Sequence, residues 1–180
     1  IADLSCMDQT PNCAPSIRDV AVGTAPAWSP ISTELAMFLP DGTLVIVDYV
    51  GGHREVIDVD RASDCRAPRF SPSGRYIAYM CFYDDIWIYD RQASQRRPYQ
   101  KNNEDGIVAD YEWLLTSDDL LVLTCNYDDG LCKSPFPWIE EAKITRAVYE
   151  TNLDGQARRR VTLGDSDSFA SFAIWPPVTP

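Results

Sequence analysis

The side chains of this sequence best suited to chemistry are one histidine, several adjacent carboxylates and six cysteines. His53 follows Gly51-Gly52 in an expected turn. A histidine acts as a general base when a nucleophile and an orienting group stand within hydrogen-bond reach, and no Gly-x-Ser-x-Gly elbow exists here to receive it. We read His53 as a solvated turn residue. Asp84-Asp85, Asp118-Asp119 and Asp128-Asp129 could share acid–base work. Neighbours on a strand or turn point apart, however, so turn formation is the simpler role. Calcium is the inorganic ligand these oxygens suit best. Its one candidate is Asp128 with Asp129, in Asn126-Tyr127-Asp128-Asp129-Gly130, where an ordinary turn competes because a complete Asp-x-Asp-x-Asp-Gly loop is missing. No phosphate loop or dinucleotide motif occurs. The expectation is no catalytic residue, no metal beyond that candidate and no cofactor.

The cysteines fall into three local pairs: Cys6 with Cys13, Cys65 with Cys81, and Cys125 with Cys132. Cys65 and Cys81 bracket the turn at residues 71–74, and an antiparallel strand pair centred there sets them side by side. Three local disulfides imply an oxidising, extracytoplasmic setting: periplasm, cell surface or secretion. Free thiols and zinc are the rival readings. Zinc sites favour closer Cys and His spacing, and the separations here are 7, 16 and 7 residues with a single His.

The elements that would position these residues are set by a repeat. Pro26-Ala27-Trp28-Ser29-Pro30 returns as Pro68-Arg69-Phe70-Ser71-Pro72, more loosely as Tyr111-Glu112-Trp113-Leu114-Leu115, and again as Ala173-Ile174-Trp175-Pro176-Pro177. The aromatic steps are 42, 43 and 62 residues, the last being one period with an insertion. A period of about 40–45 built from short strands is the signature of propeller blades. In the second copy a short strand leads through Ser71-Pro72-Ser73-Gly74 to a β-rich run at 76–81, a turn at Asp84-Asp85, a third strand at 86–89 and a fourth near 97–100. The first copy follows with strands at 35–39, 43–49 and 54–57. No segment holds a helical period, so the expected fold is all-β: a β-propeller fragment of about three four-stranded antiparallel blades plus partial flanking strands.

The expected boundaries are a partial blade over 1–25 carrying third and fourth strands, blades over 26–66, 67–108 and 109–163, and a further first strand within 164–180. Propellers have about 4–8 blades, so the chain reads as part of a larger ring, or as a partial one whose open edges another polypeptide covers. An insertion at 126–145 interrupts the third blade and carries Phe136, Trp138 and Ile139 between prolines. Large apolar groups on a protruding loop must find cover. They either fold back on their own blade or anchor a partner. Trp28, Phe70, Trp113 and Trp175 are read as blade core, with ligand stacking as the alternative.

Aromatic-Ser-Pro, a Gly-containing turn, Ile77-Ala78-Tyr79 and Ile86-Trp87-Ile88-Tyr89-Asp90 resemble the TolB-type β-propeller repeat, a relative of the tryptophan-aspartate repeat. The likeness is close over 26–58 and 68–90 and weaker over 109–162. Ile31-Ser32-Thr33 departs from the Asp-Gly that the family places after the first Ser-Pro, and the third copy lacks Ser-Pro. The resemblance implies a fold and not an activity.

The net charge of −11 argues against nucleic acid. Arg96-Arg97 and Arg158-Arg159-Arg160 are local exceptions, read as solvated outer strands with anion or partner contact as the alternative. No apolar run is long enough to span a membrane, although the module could belong to a membrane-associated complex. The chain starts at Ile1, without Met or a charged segment leading into an apolar one, so a signal peptide is expected to be absent or already removed. The function these residues suggest is a non-catalytic extracytoplasmic propeller that binds or scaffolds protein partners. Two alternatives are the gate propeller of a prolyl-oligopeptidase-type serine hydrolase, its catalytic domain lying outside this chain, and a carbohydrate-binding or glycosidase propeller.

Overall fold

A strand that is apolar at every position must be covered on both faces. Beyond their first residues Glu34–Phe38 and Tyr76–Cys81 are such strands, buried at every following position. The computed structural model describes residues 2–3, 16–17, 22–50, 52–57, 64–82, 85–99, 107–125 and 146–161. Among them the chain is all strand and turn, without helix, in three four-stranded antiparallel sheets and one two-stranded pair. The pair joins β1 (Ala2–Asp3) to β2 (Ser16–Ile17). Blade one is β3 (Thr24–Trp28), β4 (Glu34–Phe38), β5 (Leu44–Asp48) and β6 (Arg54–Ile57). Blade two is β7 (Arg66–Phe70), β8 (Tyr76–Cys81), β9 (Asp85–Asp90) and β10 (Gln95–Pro98). Blade three is β11 (Ile107–Trp113), β12 (Leu120–Cys125), β13 (Arg146–Thr151) and β14 (Arg158–Arg160). Each blade is a meander in sequence order. Asp85 opens a strand instead of closing a turn, and the fourth strand of blade two starts at Gln95, two residues before its expected place.

The blades alternate their side chains into two interfaces. Ala36, Phe38 and Ile46 of blade one meet Phe70, Ile77 and Tyr79 of blade two. The other face of blade two, with Ala78, Met80 and Ile88, meets Val108, Tyr111 and Trp113 of blade three. The outer strands are polar because they have solvent beside them: β10 is exposed throughout. Arg96 lies 5.3 Å over Trp87 and Arg158 3.9 Å over Tyr149, while Arg97 pairs with Asp154 and Arg159 with Glu150. These arginines thus each have a partner on the adjoining third strand or, for Arg97, in the last turn of blade three.

The recurring Ser-Pro turn has a physical reason. Ser71 is fully buried, its backbone N–H bonds to the Tyr76 carbonyl and its Oγ accepts from the Tyr76 N–H at 3.2 Å. Ser29 does the same kind of work, accepting at Oγ from the Ser32 hydroxyl at 2.8 Å. Gly74 has φ of 70°, a left-handed conformation that favours glycine, and its Cα side faces the Ile31 side chain of blade one. Pro26 and Pro68 occupy bulges where β3 and β7 lose register with β4 and β8, which is where a strand tolerates a residue without an N–H. The residue before each proline, Ala25 and Ala67, takes positive φ at 48° and 52°.

Arg91 of blade two ties blade one in place. Its guanidinium meets Glu34 at 2.7 and 2.9 Å and Glu55 at 3.6 Å, and Tyr89 donates to Glu55 at 3.1 Å. Burial pushes the Glu34 carboxyl up, but the hydrogen bonds from Arg91 and Ser32 and the Arg91 charge outweigh it, so its pKa lies below the ordinary value. A lowered folded pKa contributes stability that is present above the unfolded value, about 4.3, and is lost as pH falls through the folded one. Arg91→Met is expected to cost about 1–2 kcal/mol at pH 7 for this half-shielded pair. The gap in urea midpoint between wild type and variant should narrow as pH falls from 7 through the carboxylate range. A gap that stays constant over that fall would exclude the carboxylates as the partners of Arg91 that matter.

Candidate functional site

Antiparallel meanders put alternate turns at the same blade end. In blade one, Trp28 pairs with Leu35 and Leu35 with Val47, so the turns at 29–33 and 49–53 share one end. The equivalent ends of blades two and three carry residues 71–75 and 114–119. There the last residues of the three first strands converge on a cleft of about 430 Å³. Its aromatic wall is Trp28, Phe70 and Trp113; Pro30 and Pro72, each two residues further along, extend it, and Ile31, Leu115 and Glu112 complete it.

The walls differ in a way that matters for binding. Phe70 and Trp113 are 7% and 3% exposed and act as blade core, as expected from the repeat. Trp28 is 52% exposed, which corrects its reading as core; its ring meets the edge of Tyr49 at 5.3 Å. Ile31 and Leu115 are 66% and 45% exposed. Three large apolar side chains thus stand open around one concavity. Polar functions at the cleft are largely engaged. Glu112 accepts the Trp113 N–H at 3.0 Å and pairs with Arg69 at 3.3 Å, while Arg69 also reaches Asp110 at 3.2 Å.

Beneath the cleft, blade three grips the first strand of blade two. Trp113 Nε1 donates to the Arg69 carbonyl at 2.9 Å. The Tyr111 hydroxyl lies against the carbonyls of Ala67 and Ala78, 2.8 Å from the latter. The bulge at Ala67 turns that carbonyl out of the ladder and toward the neighbouring blade. Burial pushes the Tyr111 phenol well up, so it stays a neutral donor.

The other sequence candidates fall as follows. Cys65 and Cys81 form a disulfide between the start of β7 and the end of β8. His53 is exposed, its carbonyl bonded to the Asp48 N–H. Asp118 and Asp119 separate as adjacent residues should: Asp118 accepts from Ser73 of blade two at 2.6 and 3.1 Å, and Asp119 accepts from Ser117. Cys6, Cys13, Cys132, Asp128, Asp129, Phe136, Trp138, Ile139 and Trp175 lie outside the described residues, as does the side chain of Cys125. Among the described residues no group of three or more His, Cys, Asp or Glu is placed to hold a metal, and no helix is long and apolar enough to cross a membrane. Sequence reading singled out the aromatics and missed Ile31 and Leu115. Their signal was the place where each copy breaks the Ser-Pro-Asp-Gly pattern.

No family model matches the sequence, and no curated protein does. Solved structures do match. TolB from Acinetobacter baumannii is 20% identical with a TM-score of 0.56, covering 83% of this chain and 34% of its own. A TolB protein from Agrobacterium tumefaciens is 13% identical with a TM-score of 0.55, covering 82% and 52%. Oligogalacturonate lyase from Vibrio parahaemolyticus is 8% identical with a TM-score of 0.58, covering 76% and 38%. The chain therefore has a TolB-like β-propeller fold and spans about half, or less, of these structures. At such identities the likeness is one of fold alone.

Proposed function

We propose that this chain is a non-catalytic propeller module that binds an extended polypeptide segment in the cleft where its three blades converge. The observation that carries this reading is the exposure of Trp28, Ile31 and Leu115 around one concavity flanked by Pro30 and Pro72. Aromatic and proline surfaces grip apolar or proline-rich extended peptides, which lose little entropy on docking. A saccharide would also stack on Trp28, but it needs converging hydrogen-bond groups. The one charged residue lining the cleft, Glu112, is held by Arg69 and the Trp113 N–H. The Cys65–Cys81 disulfide supports an extracytoplasmic setting. Phe136, Trp138 and Ile139 offer a second partner contact. Their segment is joined to β12 and β13 at Cys125 and Arg146, the blade end opposite the cleft.

Peptide display on the immobilised chain tests the reading. Enriched peptides should carry apolar or proline residues and lose at least about tenfold in affinity on Ile31→Asp or Leu115→Asp, as expected for interface anchors. Both side chains are exposed, so melting temperatures should barely move. Peptides that bind both variants at full strength, or enrichment on a glycan array in place of peptides, would overturn it.

A further inference from the structure

The ionic groups at the floor of the cleft do not balance. Arg69 of blade two reaches Asp110 at 3.2 Å and Glu112 at 3.3 Å on blade three, so two carboxylates face one guanidinium. Their other contacts are with neutral donors: Asp110 accepts the Tyr111 N–H at 2.8 Å and Glu112 the Trp113 N–H at 3.0 Å. Among the described residues no second cation meets either carboxylate, and one negative charge is left over. The three side chains, Arg69, Asp110 and Glu112, are 26%, 20% and 27% exposed, so water screens them only in part. Glu112 is the member that lines the cleft, and it has acceptor positions to spare, because a carboxylate offers about four.

An apolar segment docked against Trp28, Ile31 and Leu115 would strip the remaining water from this group. Taking a charge out of water without a partner is strongly unfavourable. A purely apolar or proline-rich ligand would therefore oppose its own docking. A ligand that brings a cation to Glu112 removes that penalty and gains a charge-assisted hydrogen bond. We propose that the ligand of the cleft is a cationic polypeptide segment, its apolar or proline residues lying against Trp28, Ile31 and Leu115 and one ammonium or guanidinium group against Glu112. Glu112 is then the residue that sets specificity. The inference rests on the cleft being a peptide site and adds the charge its ligand must carry. The net charge of −11 favours the same partner at longer range.

Peptides enriched by display on the wild-type chain should carry Lys, Arg or a free amino terminus. The strongest of them is made in three forms: N-acetylated with its Lys or Arg, N-acetylated with norleucine in that place, and the norleucine form with a free amino terminus. Wild type should bind the acetylated cationic form at least about tenfold more tightly than the acetylated norleucine form, as expected for an interface anchor. Affinity recovered by the free-terminus form would make an amino terminus a second source of the cation, and affinity not recovered would leave the side chain as the source. Glu112→Gln keeps an oxygen for the Trp113 N–H and drops the charge. It should weaken the cationic form and tighten the acetylated norleucine form, a reversal of sign that damage to the fold does not produce. Enriched peptides without a cation, or equal binding of the two acetylated forms by wild type, would overturn the proposal and leave the peptide reading in place so long as binding still falls on Ile31→Asp. Binding that ignores Ile31→Asp would overturn both.

Discussion

Trp113→Ala is expected to lower stability by about 3–5 kcal/mol, the cost of emptying a buried indole site, while Trp113→Phe should cost about 1–2 kcal/mol by leaving the Arg69 carbonyl unpaired. Trp113 is 3% exposed, stacks on Tyr76 at 6.5 Å and 22°, and donates across the blade boundary. Two contributions are thus separable in one side chain. For a chain of this size each kcal/mol moves the melting temperature by roughly 2–4 °C, so the alanine variant should melt about 10 °C lower and the phenylalanine variant about 4 °C lower by circular dichroism. Phe70 already stands at the equivalent place in blade two, so the fold tolerates the smaller ring. A phenylalanine variant as stable as wild type would mean that ring packing, and not the indole bond, holds blade three.

The same position shows what the sequence could reveal. Blade count, strand order and the Cys65–Cys81 neighbourhood were legible because each rests on local spacing: seven residues from aromatic to partner, sixteen from Cys to Cys. Phe70, Trp113 and Trp28 are indistinguishable by pattern, yet two are buried and one is open. That difference depends on which neighbour stands beside each blade, and no local spacing encodes it. The cleft was hidden for the same reason. Ile31 and Leu115 lie 84 residues apart and line one cleft only because the ends of three successive blades adjoin there. The Arg91 link to Glu34 crosses 57 residues and has no periodic signature. The bulges at Ala25 and Ala67 were half legible: a proline inside a strand signals broken pairing, but the outward carbonyl that Tyr111 exploits is visible only once the next blade is in place.

Removing the disulfide by Cys65→Ala with Cys81→Ala is expected to cost about 3 kcal/mol, the loop-closure entropy that a crosslink of this length removes from the unfolded chain. The two cysteines are 16 residues apart and fasten the first strand of blade two, the strand on which Trp113 and Tyr111 close, to its neighbour. Cys81 is 3% exposed inside the interface with blade one, so alanine keeps the site apolar and most of the loss should come from the unfolded state. Adding reductant distinguishes this from a packing effect. Reduced wild type should fall to within about 1 kcal/mol of the equally reduced double variant, and the double variant should lose less on reduction than wild type does, its remaining response being that of the expected Cys6–Cys13 and Cys125–Cys132 bonds. If wild type is equally stable with and without reductant, the bond does not form, and the extracytoplasmic reading loses its structural support. If the loss is as large as expected, it is a sizeable part of the 5–15 kcal/mol that holds a typical domain folded. The module would then be poorly suited to a reducing compartment, and its binding activity should be assayed under oxidising conditions.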